Sequence, residues 1–156
     1  MLKTFSRKES LEYLKKVLPE NSEKSLNELA QILNDYPLAL TQAISYIKVH
    51  PSLSIEEYLS LYKAKRKNLW QEEEKLTSGK GNEAALLEDY RRTVAATFSL
   101  LLEQLQKTSP QALELLKFTS FLGNQDIPKR FLKTWLMDQQ KRSDFDFHDA
   151  TSALLK

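Results

Sequence analysis

Few residues in this chain have the type and spacing for chemistry. The two histidines, His50 and His148, lie far apart, and neither belongs to an H-x-x-x-H pair. The chain has no cysteine, so disulfides and thiolate ligands are excluded and nothing completes a metal site around a histidine. His50 falls at the end of a helical run, where a cation complements the helix dipole. Carboxylates are plentiful, but they fall on polar helix faces and in the run Glu72 to Glu74. Such a run builds a solvated face rather than an acid–base pair. Gly79-Lys80 is the one phosphate-loop lookalike. A loop of the form G-x-x-x-x-G-K-[ST] needs glycine at 74 and a hydroxyl residue at 81, where the chain has Glu74 and Gly81. No strand pattern precedes it. The sequence predicts no catalytic residue, no metal ligand and no phosphate loop.

The elements that would position any site are helical. Hydrophobic residues make up 41% of the 156, enough to offset the ordering entropy of a folded domain or of two small helical subdomains. Only three glycines occur, and Leu, Lys, Glu, Ala and Gln are abundant, which favours helix. With 23 basic and 21 acidic residues the net charge is +2, too small to call for nucleic acid or an acidic membrane. No apolar run approaches the roughly 20 residues that span a bilayer, and Met1 to Ser10 leads into no signal-peptide apolar stretch. The expectation is a soluble, cytoplasmic protein.

Ser6-Arg7-Lys8-Glu9 reads as a capping box, followed by Leu11, Leu14, Val17 and Leu18 at helical spacing and stopped by Pro19. A second helix begins near Ser22, with Leu26, Leu29, Ala30 and Leu33 on one face. Asn34-Asp35-Tyr36-Pro37 is a turn whose proline suits the first position of the next helix. That third helix carries Leu38, Ala39, Leu40, Ala43, Ile44 and Ile47, apolar on more than one face and so central in a bundle. Ser54 to Glu57 boxes a fourth helix through about Lys65. From Lys65 to Asn82 the composition shifts to charged residues and then to Thr77-Ser78-Gly79-Lys80-Gly81-Asn82, which predicts a linker, partly helical around Leu69 and Trp70. A long helix follows through Leu87, Tyr90, Val94, Phe98, Leu101 and Leu105. Another opens at Ser109-Pro110 and stops at Gly123, the next starts at Ile127-Pro128, and the last runs from about Asp146. No alternating strand pattern occurs.

At Leu33-Asn34-Asp35-Tyr36-Pro37-Leu38-Ala39-Leu40 the sequence resembles the G-L-P-L-A-L segment in the helical lid of NB-ARC ATPases, members of the STAND class of signalling NTPases. K-T-F-S-R-K-E-S-L-E-Y-L is similar to the family's helix after the nucleotide-binding core, and S-I-E-E-Y-L-S-L-Y to the closing helix of the lid. T-F-S-L-L-L-E-Q-L, S-P-Q-A-L-E-L-L-K-F-T-S-F-L and I-P-K-R-F-L resemble the opening of its winged-helix subdomain. The likeness runs from Leu2 to about Trp135. It implies that Pro37, with Leu38 beside it, forms an edge that meets the adenine of a nucleotide held by a core missing from this chain. A proline at a helix start offers a rigid apolar face and no competing N–H. Where the family motif has glycine, this chain has Asp35, so the backbone of that turn is the point on which the likeness departs. Phe147-His148-Asp149 looks like the family's Met-His-Asp motif. Only about 20 residues separate it from Ile127-Pro128, too few for two helices and a hairpin, and it reads instead as a polar helix start.

The resulting expectation is an all-α chain: a four-helix lid over 1–66, a linker over 67–82, and a helical, incomplete winged-helix subdomain over 83–156. The resemblance implies a regulatory region that couples ADP or ATP state to domain rearrangement and oligomerisation. The parent protein would supply the ATPase core, nucleotide and magnesium in cis, self-associate and meet protein partners. The ends of the sequence suggest a fragment: the family's core would just have ended before it, and Ala153 to Lys156 stops in mid-helix. The alternative is a helical protein–protein interaction module with no nucleotide role, in which Pro37 is only a helix-start residue. A winged-helix DNA binder is disfavoured, because Asp144, Asp146 and Asp149 oppose phosphate around the terminal helix.

Overall fold

Serines and prolines set where the helices of this chain begin. The computed structural model describes residues 4–73, 82–122, 127–140 and 143–154; among these there are eight helices and no strand. α1 (Arg7–Val17) opens on a complete capping box, in which the Glu9 carboxylate accepts the Ser6 N–H at 2.7 Å and the Ser6 hydroxyl accepts the Glu9 N–H at 3.3 Å. α2 (Glu23–Ile32) is capped by Ser22 through the Ser25 N–H. α3 (Pro37–Val49) starts on proline, whose missing N–H would have had no helical partner. α4 (Ile55–Glu73) opens on a reciprocal Ser54–Glu57 box.

α4 continues beyond the expected stop near Lys65, because nothing from Arg66 to Glu73 breaks a helix and Leu69 packs against the core. The expected linker over 67–82 is thus helical as far as Glu73, and 74–81 lie outside the described residues. α5 spans Asn82–Thr108, α6 Pro110–Ser120, α7 Lys129–Gln140 and α8 Asp144–Leu154. Gly123, the expected stop of α6, is outside the described residues; the helix ends at Ser120 with Phe121 as its cap residue. α8 starts at Asp144 rather than near Asp146. Ser143 and Asp146 bond each other's backbone N–H groups, at 2.8 and 3.3 Å, so Asp146 closes a box as the third residue of the helix, not its first.

The chain divides into two compact units, Met1–Leu101 and Leu102–Lys156. In the first, α1 packs on α2, and both α2 and α3 pack on α4. Its core takes Leu14, Leu26, Leu29, Leu33, Leu40, Ile55, Tyr58, Leu59 and Tyr62 from α1–α4 and their ends, with Ala96 and Leu100 from α5. Each fully buried leucine contributes about 1.5–3 kcal/mol relative to exposure. α3 buries Ala39, Leu40, Ala43, Ile44 and Ile47 around more than one face, as its apolar sequence requires. In the second unit, α8 packs on α6 and α7 around Ala112, Leu115, Leu136, Phe147 and Ala150. No helix among the described residues is long and apolar enough to cross a membrane.

Candidate functional site

The turn between α2 and α3 has the most constrained backbone in the first unit. α2 ends in a Schellman arrangement: the Asn34 N–H donates to the Gln31 carbonyl at 3.1 Å and the Asp35 N–H to the Ala30 carbonyl at 3.0 Å. Asn34 and Asp35 both stand at φ 52°, and no other described non-glycine residue has positive φ. Two successive left-handed residues cost roughly 1–2 kcal/mol each in a general L-residue, less for Asn and Asp. Asp35 adopts the left-handed conformation that glycine makes easy.

Side chains from distant elements hold this turn. Arg7 of α1 clamps the Asp35 carboxylate, with Nη2 to Oδ2 at 2.7 Å and Nε to Oδ1 at 3.0 Å, and also donates to Asn27 at 3.1 Å. The Asp35 carbonyl accepts the Phe5 N–H at 3.0 Å. On the other side stands Asp89 of α5. Its Oδ2 accepts from the Asn34 amide at 2.7 Å and from the Tyr36 hydroxyl at 3.2 Å, and its Oδ1 accepts from Arg66 of α4. Arg66 donates as well to the Tyr62 hydroxyl at 2.9 Å and to Thr93 at 3.2 Å. The Tyr36 ring stands edge-on to Tyr90, with centroids 5.0 Å apart. Burial, and after it the neighbouring Asp89 charge, raises the Tyr36 phenol above its usual value.

Pro37 follows as the first residue of α3, half-buried, and Leu38 is 46% exposed. Together they form a small apolar edge on a backbone fixed from two sides. Such an edge can meet one face of a planar apolar group; it carries no nucleophile, no base and no cation aimed outward for a phosphate.

The other chemistry-bearing residues are elsewhere. His50 caps α3, its Nδ1 donating to the Tyr46 carbonyl at 2.8 Å and its ring stacked on Tyr46. His148 is exposed within the first half of α8, 3.8 Å from Asp144, while Phe147 before it is buried; the pair His148-Asp149 does not start the helix. Gly79-Lys80 and Glu74 lie outside the described residues. No group of three or more potential metal ligands occurs among the described residues.

Arg7, Arg66 and Asp89 escape a reading by local pattern, since the partners named here, Tyr62 of Arg66 apart, are 20 to 55 positions away. The one local hint is the Asn34-Asp35 doublet before a proline, where left-handed backbone needs side-chain support. Comparison with family models, with curated proteins and with solved structures finds no match to this chain. The likeness to NB-ARC lids therefore rests on the residues themselves.

Proposed function

We propose that this chain is the regulatory helical region of an NB-ARC-type nucleotide-dependent switch, with Pro37 and Leu38 as the edge that meets adenine. The observation that carries the reading is the left-handed backbone of Asp35, φ 52°, immediately before Tyr36-Pro37-Leu38. The glycine of the lid motif is replaced, yet the conformation that glycine would permit is kept, and Arg7 supplies the support that a side chain at this position needs.

In this role the chain binds no phosphate and hydrolyses nothing. Nucleotide, magnesium ligands and the attacking water's partners belong to a core supplied in cis. Pro37 and Leu38 contribute an apolar surface, and α1–α4 move with it as one lid. The second unit, α6–α8 with the end of α5, takes the place of the opening of the winged helix. ADP then holds the parts together, and exchange for ATP releases them for self-association.

The test is the coding sequence that precedes Met1, together with calorimetry on the chain itself. The reading expects a phosphate loop and an acidic strand-end in that sequence, and no heat of ADP binding to residues 1–156 alone. Tight ADP binding by the isolated chain, or an upstream sequence with no such loop, contradicts it.

The interaction-module reading draws on one observation in the second unit. Phe121 is 87% exposed, and Phe131, 48% exposed, lies 5.8 Å from Phe118, which stacks on Trp135 at 4.0 Å. Exposed aromatic residues in such a group are typical of protein-binding surfaces. That reading makes association independent of ADP.

A further inference from the structure

The Asp89 carboxylate ties α4, α5 and the α2–α3 turn together. It receives three donors from three places in the chain: Asn34 in the left-handed turn, Tyr36 at the cap of α3, and Arg66 in α4. These partners are 55, 53 and 23 positions from it in sequence. Its side chain is 28% exposed and that of Arg66 is 23% exposed, so the pair is screened from water on most sides. The network also reaches Thr93, one turn further along α5 and fully buried.

From this geometry we infer that Asp89 is a positioning residue for the Pro37–Leu38 edge: α5 sets the backbone of the turn through one carboxylate. Asp35 is fixed from α1 by Arg7, and Asn34 and Tyr36 from α5 by Asp89. The left-handed pair is thereby over-determined, as strained backbone at a working surface must be. Displacing the start of α5 withdraws Asp89 from Asn34 and Tyr36 and leaves Arg7 as the side chain that holds Asp35. The edge then loosens while α2 and the body of α3 keep their packing. The turn's control by α5 rests on geometry alone; only the identity of what the edge meets rests on the nucleotide reading above.

Amide hydrogen exchange on the whole chain tests this without nucleotide. Asp89→Asn keeps the shape but removes the charge and one of the two acceptor oxygens, so the donors facing the new amide group lose their bond and the others are weakened. The inference expects exchange of the Asp35, Tyr36 and Phe5 N–H groups to rise about tenfold or more relative to interior α2 amides such as Leu29, in line with the loss of charge-assisted bonds. Leu59→Ala, a cavity in the same core that removes none of the network's hydrogen-bonding groups, lowers global stability and leaves that ratio unchanged. Tyr36→Phe removes one donor and keeps the ring, so it covers the case in which Asp89→Asn does not fold. Its expected effect is a smaller rise at the same amides, and in the double variant the two effects are less than additive. An unchanged ratio in Asp89→Asn, or in Tyr36→Phe where Asp89→Asn does not fold, overturns the inference. So does a rise equal to that in Leu59→Ala. A loosened turn with unaltered nucleotide contact would leave the control of the turn by α5 in place and end the adenine reading, so the two failures are distinct.

Discussion

At the scale of residues, the chain uses Asn34 and Asp35 where a helix C-terminus ordinarily uses glycine. The side chain at 35 adds backbone strain but brings a carboxylate, and Arg7 answers it across 28 positions of sequence. Both side chains are partly exposed, so solvent screening limits what the pair contributes. The two effects separate by substitution. Asp35→Gly loses the ion pair but relieves the φ 52° conformation, whereas Asp35→Ala loses the pair and keeps a β-carbon there. Urea unfolding should find Asp35→Ala less stable than Asp35→Gly by about 1 kcal/mol. Equal midpoints with equal slopes would mean that the left-handed backbone is not a source of strain. The sequence made Pro37 and Leu38 legible as a helix start because proline at the first position is a local rule. It left Arg7, Arg66 and Asp89 unread, because the rules that place them act through the tertiary fold.

At the scale of elements, the reciprocal boxes at Ser6–Glu9, Ser54–Glu57 and Ser143–Asp146 define where α1, α4 and α8 begin. Two of them were legible in sequence; the third was passed over because aspartate stands where glutamate is expected. The far end of α4 was misread for a related reason: the charged run after Lys65 looks like a linker, yet each residue from Arg66 to Glu73 is compatible with helix and two of them serve the fold. Arg66 joins the Asp89 network and Leu69 lies against the core. The box of α1 has a pH signature. The backbone N–H of Ser6, and after it the Ser6 hydroxyl, holds the Glu9 carboxyl below its ordinary value. Its folded pKa lies below the unfolded one, so the cap's contribution is complete above about pH 4.3 and is lost as pH falls through the folded value. Amide shifts followed through an acid titration should show the first turn of α1 fraying below about pH 4, before the interior of α2 changes. Simultaneous loss of both would remove the cap from the account.

At the scale of the whole molecule, the all-helical class and the order of its elements follow from composition and from local stop and start signals. The division into units does not. The 74–81 region draws attention in sequence by its glycines, whereas the compact units part at Leu101, within α5. The reason is in the side chains of α5: Tyr90, Val94, Ala96 and Leu100 serve the first core and Leu105 the second, with no break in helical pattern between them. The first unit closes around phenols that resist ionisation. Burial, with Tyr62 and Tyr46 as further causes, pushes the Tyr58 phenol up strongly, and Tyr36 is raised for the reasons given above. Raised folded values mean that their stabilisation is complete below the unfolded tyrosine value of about 10 and is lost as pH rises beyond it. Ultraviolet titration of the six tyrosines should therefore show a late fraction that ionises together with the loss of helical circular dichroism. Ionisation of all six before any helix is lost would contradict the buried placement.

The most direct measurement of the central claim is photolabelling with an azidoadenine analogue of ADP in a protein that joins this chain to the proposed nucleotide-binding core. The account predicts label on the peptide holding Tyr36, Pro37 and Leu38, diminished by unlabelled ADP and by Pro37→Ala. Label confined to other helices, at the same level in Pro37→Ala, would contradict it.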